Sequence, residues 1–381
     1  MNPTKAVFIH SAEIEKYHYP PDCPFSSERA GKARRILASM GLLTGEGRRE
    51  IAPEAAGRLT LESFHTPAYL DVLQKASKGD LDIEGLRMGL GTHECPVFIG
   101  LYEYAALASG GTLTGAKMIL SGDVDVAFNP SGGYHHAHPA EASGFCYIND
   151  VVLACMHLAA GGMRVLFIDV DVHHCDGVQE AFYNRSDVMT LSLHESGKTL
   201  FPGTGFEDEI GVGDGKGYSV NVPLPVDTYD EAFIKAFRAV ALPLIGAYDP
   251  DVIVLELGMD CLSGDPLAHL KLTNNAYAEV VQSVLDFGKP ILAVGGGGYH
   301  IENTARGWAL AWSILSGQNL AADEMSIGMG GVLLESTDWH GGLRDRMLVV
   351  DARKRRAVDP EVNATIEKVK SNVFSLHGLS S

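Results

Sequence analysis

The segment Phe167-Ile-Asp-Val-Asp-Val-His-His-Cys-Asp176 carries five groups able to bind a metal or move a proton within eight residues: Asp169, Asp171, His173, His174 and Asp176. It continues an apolar, β-favouring run at 165–168, so these groups stand at the carboxyl end of a buried strand. In an open α/β sheet that is the end where ligands bind. Asp171 and His173, two apart on extended chain, point to the same side and can grip one metal together. A second strand end offers a third ligand, because Val252-Ile-Val-Leu-Glu-Leu-Gly-Met-Asp260 runs through a buried strand and a glycine to Asp260. One imidazole and two carboxylates, with a position left for water, make the open pattern of catalytic zinc; structural zinc closes that position.

Two more strand-end loops bring proton chemistry. Asn129-Pro-Ser-Gly-Gly-Tyr-His-His-Ala137 turns at Gly132 and Gly133 and carries His135 and His136 over the sheet end. Tandem histidines beside a metal suit proton transfer near neutrality, and each needs an orienting carboxylate on its far nitrogen. Asp169 and Asp176 are spare for that role. Val294-Gly-Gly-Gly-Gly-Tyr-His300 lacks the Gly-Lys-Ser/Thr of a phosphate loop. Its glycines read as a hinge projecting Tyr299, whose hydroxyl can donate to an oxyanion opposite the metal.

The elements that must position these loops alternate along the chain. Strands are expected at 5–10, 124–129, 165–172, 188–194, 218–224, 251–258 and 290–298. Helices are expected at 28–40, 96–120, 144–160, 230–247, 274–287 and 303–315. Several strands are apolar without alternation, the mark of a parallel sheet covered on both faces. The order predicts one α/β domain with helices on both sides of the sheet. Segments 11–27 and 77–95 read as loops bordering the site. From about residue 319 strand signals cease, and a polar helix-like stretch near 361–372 ends the chain as a packing appendage or an oligomer contact.

Composition narrows the function. The 381 residues are 46% hydrophobic and 20% charged, ordinary globular usage. A formal charge of −18, with Arg353-Lys-Arg-Arg356 as the longest basic stretch, excludes a nucleic-acid footprint. The acidic surface favours cationic ligands such as lysine-rich segments or polyamines. No apolar run reaches the ~18 residues of a membrane helix, and the amino-terminal hydrophobic stretch is too short for a signal peptide. Six cysteines without C-x-x-C spacing point to a reduced cytoplasm and away from a disulfide framework.

Six co-linear motifs then carry a resemblance: Gly132-Gly-Tyr-His-His-Ala137, Glu141-Ala-Ser-Gly-Phe-Cys-Tyr-Ile-Asn-Asp150, Ile168-Asp-Val-Asp-Val-His-His-Cys-Asp-Gly-Val178, Phe201-Pro-Gly-Thr-Gly205, Gly258-Met-Asp-Cys-Leu-Ser-Gly-Asp265 and Gly295-Gly-Gly-Gly-Tyr299. From about 17 to 315 the chain resembles the zinc-dependent histone deacetylases, class I and the prokaryotic acetoin-utilisation type. The resemblance implies the arginase/deacetylase fold, three layers around a mostly parallel sheet of about eight strands. It implies a catalytic domain at 1–318 and an extension at 319–381, packed on that domain or used between subunits. It implies zinc on Asp171, His173 and Asp260, His136 with Asp176 as general base, and His135 with Asp169 as a largely charged partner. Tyr299 would polarise the amide carbonyl, and the reaction would release acetate from acyl-lysine on proteins or peptides. Glu94, Gly144, Phe145, Phe201 and Leu267 would receive the substrate. Potassium would sit on backbone carbonyls near Asp169, Asp171, His173, Ser192 and Leu193.

This chain departs from the family at several positions. Glu94 is one methylene longer than the usual rim aspartate. Cys175 replaces a glycine, as a packed residue or a thiol open to oxidation. Tyr134 replaces a smaller aliphatic residue beneath the metal. Ser26, Pro266 and Glu302 stand where inositol-phosphate-binding residues occur in eukaryotic class I members, while Arg29, matching an internal-channel arginine, is kept. An acetylpolyamine amidohydrolase is the alternative within the same chemistry; Glu94 supports it and Leu267, in place of a gating carboxylate, opposes it. An arginase-like ureohydrolase would need an Asp-x-Asp pattern that 258–265 does not supply. A non-catalytic acyl-lysine binder would have lost Tyr299 or a ligand.

Overall fold

Strands with no polar alternation need cover on both faces, and the sheet they build has it. The computed structural model describes residues 5–318 and 342–380. Among these, eight strands form one sheet: β1 (Ala6–Ile9), β2 (Arg48–Ile51), β3 (Val126–Asn129), β4 (Val165–Asp169), β5 (Val188–Glu195), β6 (Ser219–Leu224), β7 (Val252–Glu256) and β8 (Ile291–Val294). Their spatial order is β2-β1-β3-β8-β7-β4-β5-β6, and every pairing is parallel. The α/β expectation with about eight parallel strands therefore holds.

The helices are α1 (Glu28–Ser39), α2 (Arg58–Leu61), α3 (Pro67–Ala76), α4 (Ile83–Arg87), α5 (Leu101–Leu120), α6 (Asp150–Ala160), α7 (Asp176–Phe182), α8 (Asp230–Tyr248), α9 (Asn274–Leu285), α10 (Ile301–Leu315) and α11 (Ala352–Val373). Successive strand residues feed opposite cores. Leu166 and Ile168 join Phe237 of α8, Val280 of α9 and Trp312 of α10, whereas Val165 and Phe167 join Ala116 of α5 and Val152 of α6. Phe167 is wholly buried; its replacement by alanine should cost about 3–5 kcal/mol.

This order decides where the site forms. β3, β8, β7 and β4 are consecutive neighbours in the middle of the sheet. Their carboxyl ends carry the 130–137, 295–299, 257–260 and 170–176 segments, so four loops distant in sequence converge over one sheet end. A separate aromatic cluster, including Tyr19, Phe25, Tyr104, Tyr134, Phe145 and Tyr147, packs beside them.

Several expected boundaries differ. β4 stops at Asp169 and not 172, because its pairing partner β7 ends at Glu256. β8 ends at Val294, before its glycines. The helix expected from 144 begins at Asp150; Gly144 and Phe145 both adopt left-handed φ, 52° and 64°, which no helix accommodates. The edge strand β2, three of whose four residues are charged, gives no hydrophobic signal.

The terminal polar stretch is the 22-residue α11. Its Val358, Val362, Ile366, Val369 and Val373 enter the core beside α8 and β6. Thr365 Oγ1 donates to the Pro223 carbonyl at 3.1 Å, and Lys368 Nζ meets Glu207 at 3.1 Å. Residues 319–341, the first part of the expected extension, lie outside the described residues.

Candidate active site

Asp171 and His173 follow β4, Asp260 follows β7, and all three are buried. One ligand atom from each lies within 4.8 Å of the others. His173 Nδ1 is 3.0 Å from Asp171 Oδ1 and 3.2 Å from Asp260 Oδ2. Backbone amides hold the remaining carboxylate oxygens: Gly297 N–H donates to Asp171 Oδ2 at 2.7 Å and Val172 N–H to Asp260 Oδ1 at 2.9 Å. Asp260 Oδ2 is buried with no hydrogen-bond donor. Burial, then the charge of Asp171, pushes the Asp260 carboxyl up to about 7. Paired buried carboxylates of this kind call for a cation, and one nitrogen with two oxygens suits zinc. Gly297 permits the close approach, since a Cβ there would lie 2.0 Å from Asp260 Oδ2. These residues fit the metal.

The two histidines lie beside this trio and are held differently. His135 Nδ1 is 2.8 Å from Asp169 Oδ2 and 3.1 Å from Glu256 Oε1. His136 Nδ1 is 2.7 Å from Asp176 Oδ1, which also accepts the Gly177 amide at 3.0 Å. Their Nε2 atoms are 3.0 Å apart, so one must donate to the other. Burial alone would lower His135, but the charges of Asp169 and Asp171 push it up to about 9. Burial and the positive charge of His135 push His136 down to about 4, against the pull of Asp176. His135 is then the cationic donor. His136, with its proton on Nδ1, presents a lone pair on Nε2.

The loop carrying them is tied down by a residue outside the expected set. Asp150, at the start of α6, accepts the amides of Gly133 at 3.0 Å and Tyr134 at 2.8 Å. Gly133 adopts φ 95°, the conformation that lets the chain turn there. Asn149 Nδ2 donates to the carbonyls of His135 and Ala137, at 3.1 and 3.0 Å.

Tyr299 is fixed in the same way, its amide donating to Asp265 Oδ2 at 2.7 Å while Asp265 Oδ1 accepts the Leu267 amide at 2.9 Å. Burial, then the charges of Asp260 and Asp171, raises the phenol well above its usual value, so it keeps its proton as a donor. Its ring centroid lies 5.6 Å from Phe145 and 6.4 Å from His173. The Phe201 ring, 36% exposed, lies 5.0 Å from His136 and 6.3 Å from His173. Gly144 lies against both, because a Cβ there would be 2.4 Å from His136 Cδ2 and 3.1 Å from Phe201 Cε1. Glu94 is exposed, and its carbonyl accepts the Phe145 amide at 3.0 Å. In the segment expected to hold potassium, the β4–β5 register sets Asp169 beside Ser192, with Leu193 next along β5.

Other residues gain places. His174 Nδ1 is 2.8 Å from Thr204 Oγ1, which ties the 201–205 loop to the metal-side segment. Cys175 is buried in the apolar core, where burial pushes its thiol well above the usual range. Glu256, Asp150, Asp265 and His138 were missed in sequence. Glu256 with His135 and Asp169 forms a second buried group of potential ligand atoms. Its only signal was a carboxylate inside an apolar strand.

A family model described as histone deacetylase domain matches residues 23–315. The chain is similar to histone deacetylase 8 of Xenopus tropicalis, 40% identical over 321 residues covering 83% of this chain and 85% of that protein. It is similar to the acetoin utilization protein AcuC of Bacillus subtilis (strain 168), 39% identical over 320 residues and 82% of each chain. Among solved structures, an HDAC homologue from Aquifex aeolicus matches with TM-score 0.86 and 34% identity, over 96% of this chain and 100% of that one. An HDAC homologue complexed with SAHA matches with TM-score 0.84 and 34% identity, over 97% and 100%.

Proposed function

The chain belongs to the histone deacetylase family, and from that premise we propose that it is a zinc-dependent hydrolase removing acetyl or other short acyl groups from lysine side chains of proteins. The observation that carries this reading is the convergence of Asp171, His173 and Asp260 with a neutral imidazole at His136 and a protonated phenol at Tyr299.

Zinc bound to Asp171, His173 and Asp260 would supply a polarised carbonyl and a more acidic water. The residues do the rest. His136 Nε2 gives up the hydrogen bond from His135 to take a proton from the attacking water while its Nδ1–H stays on Asp176, and it then gives that proton to the departing amine. Tyr299 donates its O–H to the carbonyl oxygen as negative charge grows there. Charged His135, anchored on Asp169, favours the same build-up of charge. Phe145 and Phe201 flank the aliphatic stem, with Gly144 leaving room between them, and Leu267 and Glu94 stand at the rim.

A single zinc is favoured over an arginase-like metal pair, because 258–265 does not supply the Asp-x-Asp pattern that a second metal would need. Full retention of Tyr299 and the three ligands speaks against a non-catalytic acyl-lysine binder. We assign potassium a structural place at the Asp169, Asp171, His173, Ser192 and Leu193 backbone. Residues 1–318 would carry the reaction, with 319–381 as an extension, supported by the docking of α11 on β6 and α8. Six free cysteines agree with a cytoplasmic setting, and among the described residues no helix is long and apolar enough to cross a membrane.

Exposed Glu94 favours one second reading, an acetylpolyamine amidohydrolase, since a rim carboxylate can hold a cationic chain. The test is hydrolysis by the zinc-loaded protein of acetyl-lysine peptides, longer acyl-lysine peptides and acetylated polyamines side by side. Faster turnover of the acetyl-lysine peptide is expected. Preference for polyamines would overturn the substrate assignment, and no hydrolysis of any would overturn the reaction.

A further inference from the structure

Asp176 and Glu180 lie four residues apart on α7, one helical turn, so their carboxylates project from the same face. One side chain spans them. His138 Nδ1 is 2.5 Å from Glu180 Oε2, and its Nε2 is 3.6 Å from Asp176 Oδ2. The other oxygen of that Asp176 carboxylate holds His136 Nδ1. The His138 backbone is itself fixed, its amide donating to the Glu141 carbonyl at 2.9 Å. His138 and Glu180 lie outside every motif used above, and neither touches the metal trio.

We propose that His138 is a positioning residue for the reaction, a cationic clamp that joins the 134–138 loop to α7 and fixes the Asp176 carboxylate so that it faces His136. This rests on the functional reading above. Asp176 must hold one rotamer for His136 to keep its proton on Nδ1 and its lone pair on Nε2. The Gly177 amide fixes Oδ1 from one side; a cation beyond Oδ2 fixes the other. His138 can supply that charge. The hydrogen bonding of Asp176, opposed by partial burial, and then Glu180 raise it to about 9. Its side chain is 26% exposed, so it contacts solvent where the inner pair of His135 and Asp169 does not. Partners of this kind behind an active-site group typically matter by about 10–100-fold.

The test uses zinc-loaded full-length protein and two readouts. One is steady-state turnover of an acetyl-lysine peptide. The other is the downfield proton resonance of the His136 Nδ1–H, identified by its loss in Asp176→Asn. His138→Ala should lower kcat about 10-fold at unchanged KM and zinc content, and should move that resonance. His138→Lys, which returns a cation to Asp176, should recover most of both. Glu180→Gln, which leaves the ring in place, should produce a smaller change in the same direction. A resonance that stays put in His138→Ala would overturn the proposal, whatever happens to turnover. An equal loss in His138→Lys would overturn the role of charge. If the resonance moves as expected while the unmodified protein hydrolyses no acyl-lysine, the clamp stands and the functional reading falls.

Discussion

Two imidazoles adjacent in sequence and 3.0 Å apart sit in unlike halves of the site. The inner half, around His135, is built from strand ends: Asp169 from β4 and Glu256 from β7, both wholly buried and adjacent in the β4–β7 register. The outer half, around His136, is built from α7 and a loop: Asp176, 16% exposed, shared with His138 and through it with solvent-exposed Glu180. His135 has two carboxyl groups within 3.1 Å, Asp169 and Glu256, and His136 has Asp176 at 2.7 Å; the first ring is pushed up to about 9 and the second down to about 4. Glu256 does not explain that split, because burial, then the charges of Asp169 and Asp171, holds its carboxyl well above the usual carboxylate range. Two carboxylates, Asp169 and Asp171, act on His135 from inside the protein, and the cation they stabilise then repels a proton on His136. A difference in surroundings converts two identical side chains into a charge and a base.

The largest effect expected from this difference comes from removing each histidine in turn. His136→Ala should lower kcat by about 10²–10⁴-fold, the usual range for a general base, and His135→Ala should lower it less. Equal losses, measured on the same acyl-lysine peptide, would erase the distinction. Next comes Tyr299→Phe, which should cost about 10²–10³-fold in kcat at unchanged zinc content. Because the phenol keeps its proton throughout, the size of that loss should not vary between pH 6 and pH 8, values chosen to bracket neutrality.

The pH profile of the unmodified protein should separate the two histidines. His136 must be neutral, so activity is present above its lowered pKa and is lost as pH falls through about 4. His135 must be charged, so activity is present below its raised pKa and is lost as pH rises through about 9. A plateau between these limits in kcat/KM is the expected result, and a maximum confined near 6.5 would mean that the two surroundings do not differ. The smallest effect should come from outside both halves. Lys368→Ala breaks a half-exposed ion pair with Glu207 and should change stability by no more than about 1 kcal/mol, read by denaturant unfolding, with kcat unaltered.

The inner half was the more legible in sequence. Asp169, Asp171, His173 and Asp260 sit at or shortly past the ends of apolar runs that can only be buried strands, and strand alternation fixes which of them share a side. Runs overestimated the strands, since Val170 and Val172 are apolar and buried but lie beyond the last ladder pair. The outer half was harder. Asp176 could be paired with a histidine, but its second partner His138 is visible only once the loop folds back on α7. Asp150 and Asp265 each close a recognised motif, but their role in holding the loops of His135 and Tyr299 by accepting backbone amides was not legible, because an amide donor has no sequence identity. β2 was lost for a related reason: an edge strand of Arg48, Arg49, Glu50 and Ile51 owes its place to backbone pairing with β1.

The claim that the two histidines differ in charge can be read directly from ¹⁵N resonances of selectively labelled imidazoles in the zinc-loaded protein at pH 7. A His135 ring protonated on both nitrogens and a His136 ring protonated on Nδ1 alone are expected. Two neutral rings, or a cation at His136, would contradict that claim.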